Sequence, residues 1–194
     1  RLSTALGAWL QSLGLKPGDR VAVMMPNVPQ YLVAIAAILR AGLVVVNVNP
    51  LYTARELQHQ LNDSGAVALV VLENFAHTLE EVINQCSVKH VVLAAMGELL
   101  GFWYGRWINF AVRHVAKMVP EFALPLDAGR TVTRFAAAVE AGSRMTLKRP
   151  EITGEHVAFL QYTGGTTGVS KGATLSHRNV VANIMQCEAW FKPM

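Results

Sequence analysis

Leu43-Val44-Val45-Val46-Asn47-Val48, then Thr53-Ala54-Arg55-Glu56-Leu57 running on to Gly65, then Val67-Ala68-Leu69-Val70-Val71-Leu72, sets two apolar runs around one helical run. Thr53 and Glu56 have the spacing of a capping box, Leu57 and Leu61 fall on one helical face, and Gly65 is a stop. The flanking runs are continuously apolar, so each reads as a strand covered on both faces. Successive strands of this kind joined by single helices imply crossovers and a parallel sheet.

The same alternation extends in both directions. Upstream, Leu2, Leu6, Trp9, Leu10 and Leu13 have helical spacing that ends near Gly14, and Lys16-Pro17-Gly18-Asp19 is a turn before the β-compatible run Val21 to Met25. Asn27 is a cap candidate, Pro29 suits a first helical turn, and the apolar sequence Tyr31 to Leu39 stops at Gly42. Downstream, Asn74 is the expected cap of a helix carrying Phe75, Leu79, Val82 and Ile83, and Val91 to Ala94 is extended again. The expectation is an α/β fold: a doubly wound, mostly parallel sheet with helices on both faces, whose ligands bind beyond the carboxyl ends of the strands.

Residues 97–142 interrupt the alternation and read as a helical insertion. A helix is expected from Trp103 to Val119, followed by one from Thr133 to Gly142. In the first, Arg106, Asn109, Arg113 and Lys117 form one polar stripe opposite an aromatic and aliphatic side. Such a helix fits peripheral membrane contact through 103–119, with its aromatic and aliphatic side at the headgroup boundary and Arg106, Arg113 and Lys117 toward anionic lipid; packing of its apolar side on the domain accounts for the same pattern.

A polar linker around Ser143 to Glu155 returns the chain to the sheet, and residues 156–191 read as a strand, a loop and a helix. The loop is Tyr162-Thr163-Gly164-Gly165-Thr166-Thr167-Gly168-Val169-Ser170-Lys171-Gly172. Its glycines allow backbone N–H groups to converge on an anion, its hydroxyls donate to phosphate oxygens, and Lys171 adds a positive charge with no carboxylate nearby in the run. It is not a Walker A loop: Ser170 precedes the lysine, Gly172 follows it, and Ala173-Thr174-Leu175 looks extended where a helix would be required. A plain Gly/Thr surface loop is the competing reading from composition alone. His177 follows at a helix start for which Ser176 is a good N-cap; capping competes with a role for this helix turn near the nucleotide.

With 194 residues, 52% of them apolar, the chain has the size and core content of one domain or part of a larger one. Its net charge of +4 is modest and no nucleic-acid pattern accompanies it. The uncharged stretch Val21 to Leu39 holds Pro26, Asn27, Pro29 and Gln30, which argues against a bilayer span, and no signal peptide is read at the start. Cys86 and Cys187 have no metal-like spacing, and the pair fits a reducing, cytoplasmic setting. His59, His77, His90, His114 and His156 lack ligand partners at metal spacing, and the Met24-Met25 pair reads as core.

The string Y-T-G-G-T-T-G-V-S-K-G-A followed by L-S-H-R-N resembles the ATP phosphate loop of the adenylate-forming ligases, closest to bacterial long-chain fatty-acid coenzyme A ligases. Lys16-Pro17-Gly18-Asp19-Arg20-Val21, Met25-Pro26-Asn27 and Asn47 to Leu57 extend the resemblance over most of the chain. Ser170 departs from the proline of many members. The resemblance implies residues 1–194 as a partial N-terminal ATP-binding domain, with Tyr162 to Ala173 holding the nucleotide and Thr163 as the hydroxyl on the Mg²⁺ side. It implies ATP, Mg²⁺ and coenzyme A as cofactors and co-substrates, a fatty acid as substrate, and a location in the cytoplasm or peripherally on the inner face of the membrane. An oligomer is left open, and no nucleic-acid partner is implied. The family's later acidic motif, ribose-binding aspartate and C-terminal lysine are not in the chain, so the 194 residues alone are expected to form no acyl-adenylate. Aryl, medium-chain and peptide-synthetase types of adenylating enzyme share the loop, and a non-catalytic nucleotide-binding scaffold is the remaining alternative.

Overall fold

A computed structural model describes residues 1–125, 129–163 and 170–192, and within them the strands form one seven-stranded sheet. The strands are β1 (Arg20–Met24), β2 (Val44–Val48), β3 (Ala68–Leu72), β4 (His90–Ala94), β5 (Thr131–Arg134), β6 (Val157–Thr163) and β7 (Lys171–Ser176). Their order across the sheet is β5-β4-β3-β1-β2-β6-β7. All neighbours are parallel except β6 and β7, which run antiparallel.

Helices α1 (Leu2–Ser12), α2 (Pro29–Arg40) and α6 (Phe135–Ser143) cover one face of the sheet. Leu6, Leu10, Ile38 and Phe135 pack there on Val21, Val23, Val45 and Val70. On the other face, α3 (Ala54–Ser64) and α4 (Ala76–Glu80) set Leu57, Leu61 and Leu79 against Ala22, Met24, Val46, Leu69 and Val71. Residues alternate faces along each strand while both faces are covered, which is why the strands read as unbroken apolar runs. Each fully buried aliphatic side chain contributes about 1.5–3 kcal/mol.

Several local expectations hold. Thr53 and Glu56 make the capping box of α3, Gly65 closes that helix in the left-handed conformation, and Pro29 is in the first turn of α2. Others are corrected. Asn27 does not cap α2, whose N-cap is Val28 without a side-chain bond. Asn74 caps nothing: it lies in a 3₁₀ turn, Glu73–Phe75, and its amide donates to the Met118 carbonyl at 2.9 Å. The expected single helix after it is α4 followed by a second 3₁₀ turn at Ile83–Gln85.

The insertion is shorter than its sequence suggests. Helix α5 (Phe102–Phe110) continues into a π-helical turn, Ala111–Val115, and the segment turns out of helix at Lys117, whose φ is +51°. The parallel alternation then resumes with β5, so the helix expected from Thr133 begins at Phe135. Thr131 to Arg134 pair with His90 to Leu93 of β4 instead of coiling, because the β-branched Thr131, Val132 and Thr133 fit that edge.

The orientation of the insertion also differs from the reading in which its apolar side packs on the domain. Two residues of the polar stripe hold the domain while Arg106 and Lys117 are exposed: Arg113 Nε donates to Glu73 Oε1 at 3.0 Å, and Asn109 Oδ1 accepts from the Gly97 N–H at 2.7 Å. A Cβ on Gly105 would lie 2.1 Å from the Gly97 carbonyl oxygen, so two backbones touch here and only glycine fits. The aromatic side, including Trp103, Trp107 and Phe110, is exposed. Helix α7 (His177–Phe191) follows β7, capped by Ser176 and Asn179 in a reciprocal pair.

Candidate functional site

Strand β6 enters the site beside β2, with Val45, Val46 and Asn47 opposite Phe159, Leu160 and Gln161. Strand β7 returns along it, pairing Thr163 with Lys171, Tyr162 with Gly172 and Gln161 with Ala173. The glycine-rich sequence between them leaves β6 at Thr163, the carboxyl end of that strand, and the described residues resume at Ser170. Gly164, Gly165, Thr166, Thr167, Gly168 and Val169 lie outside the described residues.

Directly opposed residues of an antiparallel pair project to the same face, so Thr163 and Lys171 stand side by side, both exposed. Gln161, two residues before Thr163, shares that face. Its Oε1 accepts from Asn47 Nδ2 at 2.8 Å, and Asn47 Oδ1 in turn accepts from the Tyr31 hydroxyl at 3.1 Å. These side chains wall a crevice of roughly 400 Å³ lined also by Asn27, Asn49 and Tyr52. Burial raises the Tyr31 pKa, so its hydroxyl stays neutral and serves as a donor.

On the opposite face, the Tyr162 ring is buried against α3, and a Cβ on Gly172 would meet that ring at 3.0 Å. The Tyr162 hydroxyl donates to Asp63 of α3; burial first, then the hydrogen bond and charge of Asp63, raise its pKa. Tyr162 thus belongs to the site as an anchor, its hydroxyl already engaged. On the far arm of the turn, His59 Nε2 is 3.4 Å from the Ser170 carbonyl oxygen. His59 and Asp63 are four residues apart on one face of α3, so a single helix touches both arms of the glycine-rich turn.

His177 and the start of α7 are not at this site. At about 3.4 Å per residue, the six residues of β7 set His177 roughly 20 Å from Lys171. Its backbone N–H donates to the His156 carbonyl at 2.9 Å, and burial first, then His156, lowers its pKa. The capping reading of this turn is the one the structure supports, and the nucleotide role is withdrawn. Among the described residues no cluster of histidine, cysteine or acidic side chains could hold a metal ion. Asp63, His59, Asn47 and Gln161 are not assigned to this site by the sequence; the i, i+4 spacing of His59 and Asp63 is visible there, and it does not reveal what they face.

A doubly wound, mostly parallel sheet whose strands β6 and β7 flank a glycine- and threonine-rich sequence has the architecture of the nucleotide-binding α/β proteins. Residues 1–193 match the family described as AMP-binding enzyme, and the chain belongs to that family. It is 55% identical to a long-chain-fatty-acid–CoA ligase of Salmonella typhimurium over 99% of its own length. It is 36% identical to one of Bacillus subtilis over 95% of its length. The chain spans about a third of these relatives, 34% and 32% respectively. Among solved structures, a long-chain-fatty-acid–CoA ligase from Archaeoglobus fulgidus superposes with TM-score 0.69 at 26% identity, covering 96% of this chain and 30% of that one. The adenylation domain of a carboxylate reductase from Mycobacterium chelonae gives 0.73 at 20% identity, a likeness of fold, with 95% and 28% covered.

Proposed function

We propose that this chain is the phosphate-binding part of an enzyme that activates a long-chain fatty acid with ATP and passes the acyl group to coenzyme A. In that reaction a carboxylate oxygen attacks the α-phosphorus as the bond to pyrophosphate breaks, and the thiol then displaces AMP from the acyl carbonyl. The observation that carries the reading is the 55% identity across 99% of the chain, a span that includes the paired Thr163 and Lys171.

In this reading residues Tyr162 to Ala173 hold the polyphosphate. Lys171 offsets charge on the departing pyrophosphate, the glycine-rich backbone supplies N–H donors, and Gln161 with Asn47 fixes the strand that leads in. Mg²⁺, which the family implies, would reduce the negative charge of the phosphates. Thr163 offers it one exposed hard oxygen, which suits an ion that takes most of its shell from phosphates and water. A peripheral contact with the membrane through 103–119 supplies the apolar substrate.

The test is acyl-coenzyme A formation by the complete protein from a competing set of aryl, medium-chain and long-chain carboxylic acids. Preference for the long-chain acids is expected; preference for the aryl or medium-chain acids overturns the substrate class.

A further inference from the structure

Gln60 is an unusual residue for its place. It is fully buried on α3 beside Leu57 and Leu61, which pack on the sheet, and its amide is only half engaged. Nε2 donates to the Asn47 carbonyl of β2 at 2.6 Å, while Oε1 meets no donor among the described residues. A buried polar atom without a partner destabilises a fold, and a methionine of similar volume would carry no such penalty. Departures from good packing of this kind are expected where function requires them. What Gln60 supplies is direction: apolar contact is non-directional and lets a helix slide on a sheet, whereas one short hydrogen bond fixes its place along β2.

The carbonyl that Gln60 engages belongs to the residue on which the site converges, since the Asn47 side chain also holds Gln161 and Tyr31. Asp63 is i+3 from Gln60 and i+4 from His59, so the three lie on adjoining stripes of one helix. Asp63 accepts from Tyr162 on the β6 arm. His59 Nε2 faces the Ser170 carbonyl on the β7 arm, and because a carbonyl only accepts, this nitrogen carries the hydrogen. The helix is fixed elsewhere as well: Arg20 Nε donates to the carbonyl of Ser64, its last residue, and Asn62 Nδ2 to that of Gln85, each at 3.0 Å. A rigid element held at several points is the kind that keeps a site in one geometry.

We propose that α3 positions the two arms of the glycine-rich sequence for the phosphates of ATP, with His59 on the arm at Ser170, Asp63 on the arm at Tyr162, and Gln60 registering the helix on β2. Tyr162 and Ser170 immediately precede Thr163 and Lys171, which stand side by side across β6 and β7, so holding the first two sets the second two. His59 and Gln60 are positioning residues: they act through Ser170 and Asn47 and touch no substrate. Their role rests on the ATP-dependent reading above and extends it to an element far earlier in the chain.

The experiment uses the complete protein and compares Gln60→Met, His59→Ala, His59→Gln and the double variant Gln60→Met/His59→Ala. Urea midpoints, steady-state parameters for ATP, fatty acid and coenzyme A, and equilibrium binding of ATP with magnesium are measured. Gln60→Met is expected to keep a urea midpoint close to that of the wild type and yet to lose about tenfold in kcat/KM for ATP, the scale on which small displacements act, with the other two substrates little changed. His59→Ala should show the same bias toward ATP, and His59→Gln should recover part of the loss because its amide donates to the same carbonyl. The double variant should lose less than the product of the two single losses, since both act on one geometry. A Gln60→Met midpoint that falls together with the parameters for all three substrates makes Gln60 a structural residue and overturns the proposal. Unchanged ATP parameters in both single variants, or losses that multiply, overturn it as well. A wild type that binds ATP but makes no acyl-coenzyme A sinks the ligase reading alone, and ATP binding by the variants then decides the role of α3; a wild type that binds no ATP overturns both.

Discussion

The Tyr162 hydroxyl donates to Asp63 Oδ2 at 2.5 Å, across a separation of 99 residues. The bond ties the last buried residue before the glycine-rich turn to α3. His59, one helical turn earlier on the same face, approaches the other arm at Ser170.

Removing the acceptor tests what that tie does. Asp63→Ala leaves a half-buried hydroxyl without its partner, at a cost of about 1–3 kcal/mol in stability. In the complete protein it is expected to lower kcat/KM for ATP more than for fatty acid, with Asp63→Asn recovering part of the loss because an acceptor remains. Equal effects on both substrates in steady-state kinetics would reduce Asp63 to a purely structural residue.

Lys171→Ala removes the charge paired across the ribbon from Thr163. A charged hydrogen bond to phosphate is worth roughly 1.5–3 kcal/mol, or about 10–150-fold. The expected result is a loss of that size in kcat/KM for ATP with fatty-acid binding little changed, and an unaltered ATP parameter would remove Lys171 from the site.

Two glycines carry steric predictions. A Cβ at Gly142 would lie 2.0 Å from the Ala5 carbonyl oxygen, where α6 meets α1, and one at Gly172 meets the Tyr162 ring at 3.0 Å. Gly142→Ala is expected to cost about 1–3 kcal/mol, because backbone must move. Gly172→Ala is expected to cost less, since a side chain gives way. Urea unfolding with unchanged slope and a lower midpoint checks both, and a larger loss at Gly172 would reverse the ranking.

His90 and His177 both have pKa values below the ordinary 6.5, in each case first by burial and then by a neighbour, Lys89 or His156. As pH falls past that value the unfolded chain takes up protons before the folded one does, so acid favours unfolding in this window. Stability therefore rises with pH from the depressed folded values to the ordinary value and then levels off with respect to these groups. His90→Gln/His177→Gln should flatten the difference in urea midpoint between about pH 5 and about pH 7.5. An unchanged difference would assign the slope to other groups.

Much of the sheet was legible because its strands are buried on both faces and its helices begin and end on local chemistry, such as Thr53 with Glu56 and Gly65. For the insertion, the reading in which its apolar side packs on the domain failed for a physical reason. The direction of an amphipathic helix is normally set by its apolar side, and here Glu73, remote in sequence, claims Arg113 and reverses it. Asn74 misled in the same way, since its amide serves Met118 and not its own helix. At the site, the residues of the glycine-rich turn were readable as a string, whereas Asp63, Asn47 and Gln161 acquire meaning only through the sheet register that brings them together.

The chain leaves the glycine-rich turn along β7 and not into a helix, and the nearest helix start on that path is roughly 20 Å away. The field of a helix macrodipole fades within its first turn, and at physiological ionic strength charges farther apart than about 8 Å are largely screened. A polyphosphate seated between β6 and β7, as proposed above, therefore receives no help from the start of α7 and depends on the exposed ammonium of Lys171. Nucleotide affinity should accordingly weaken as salt is raised, along a slope that Lys171→Gln flattens.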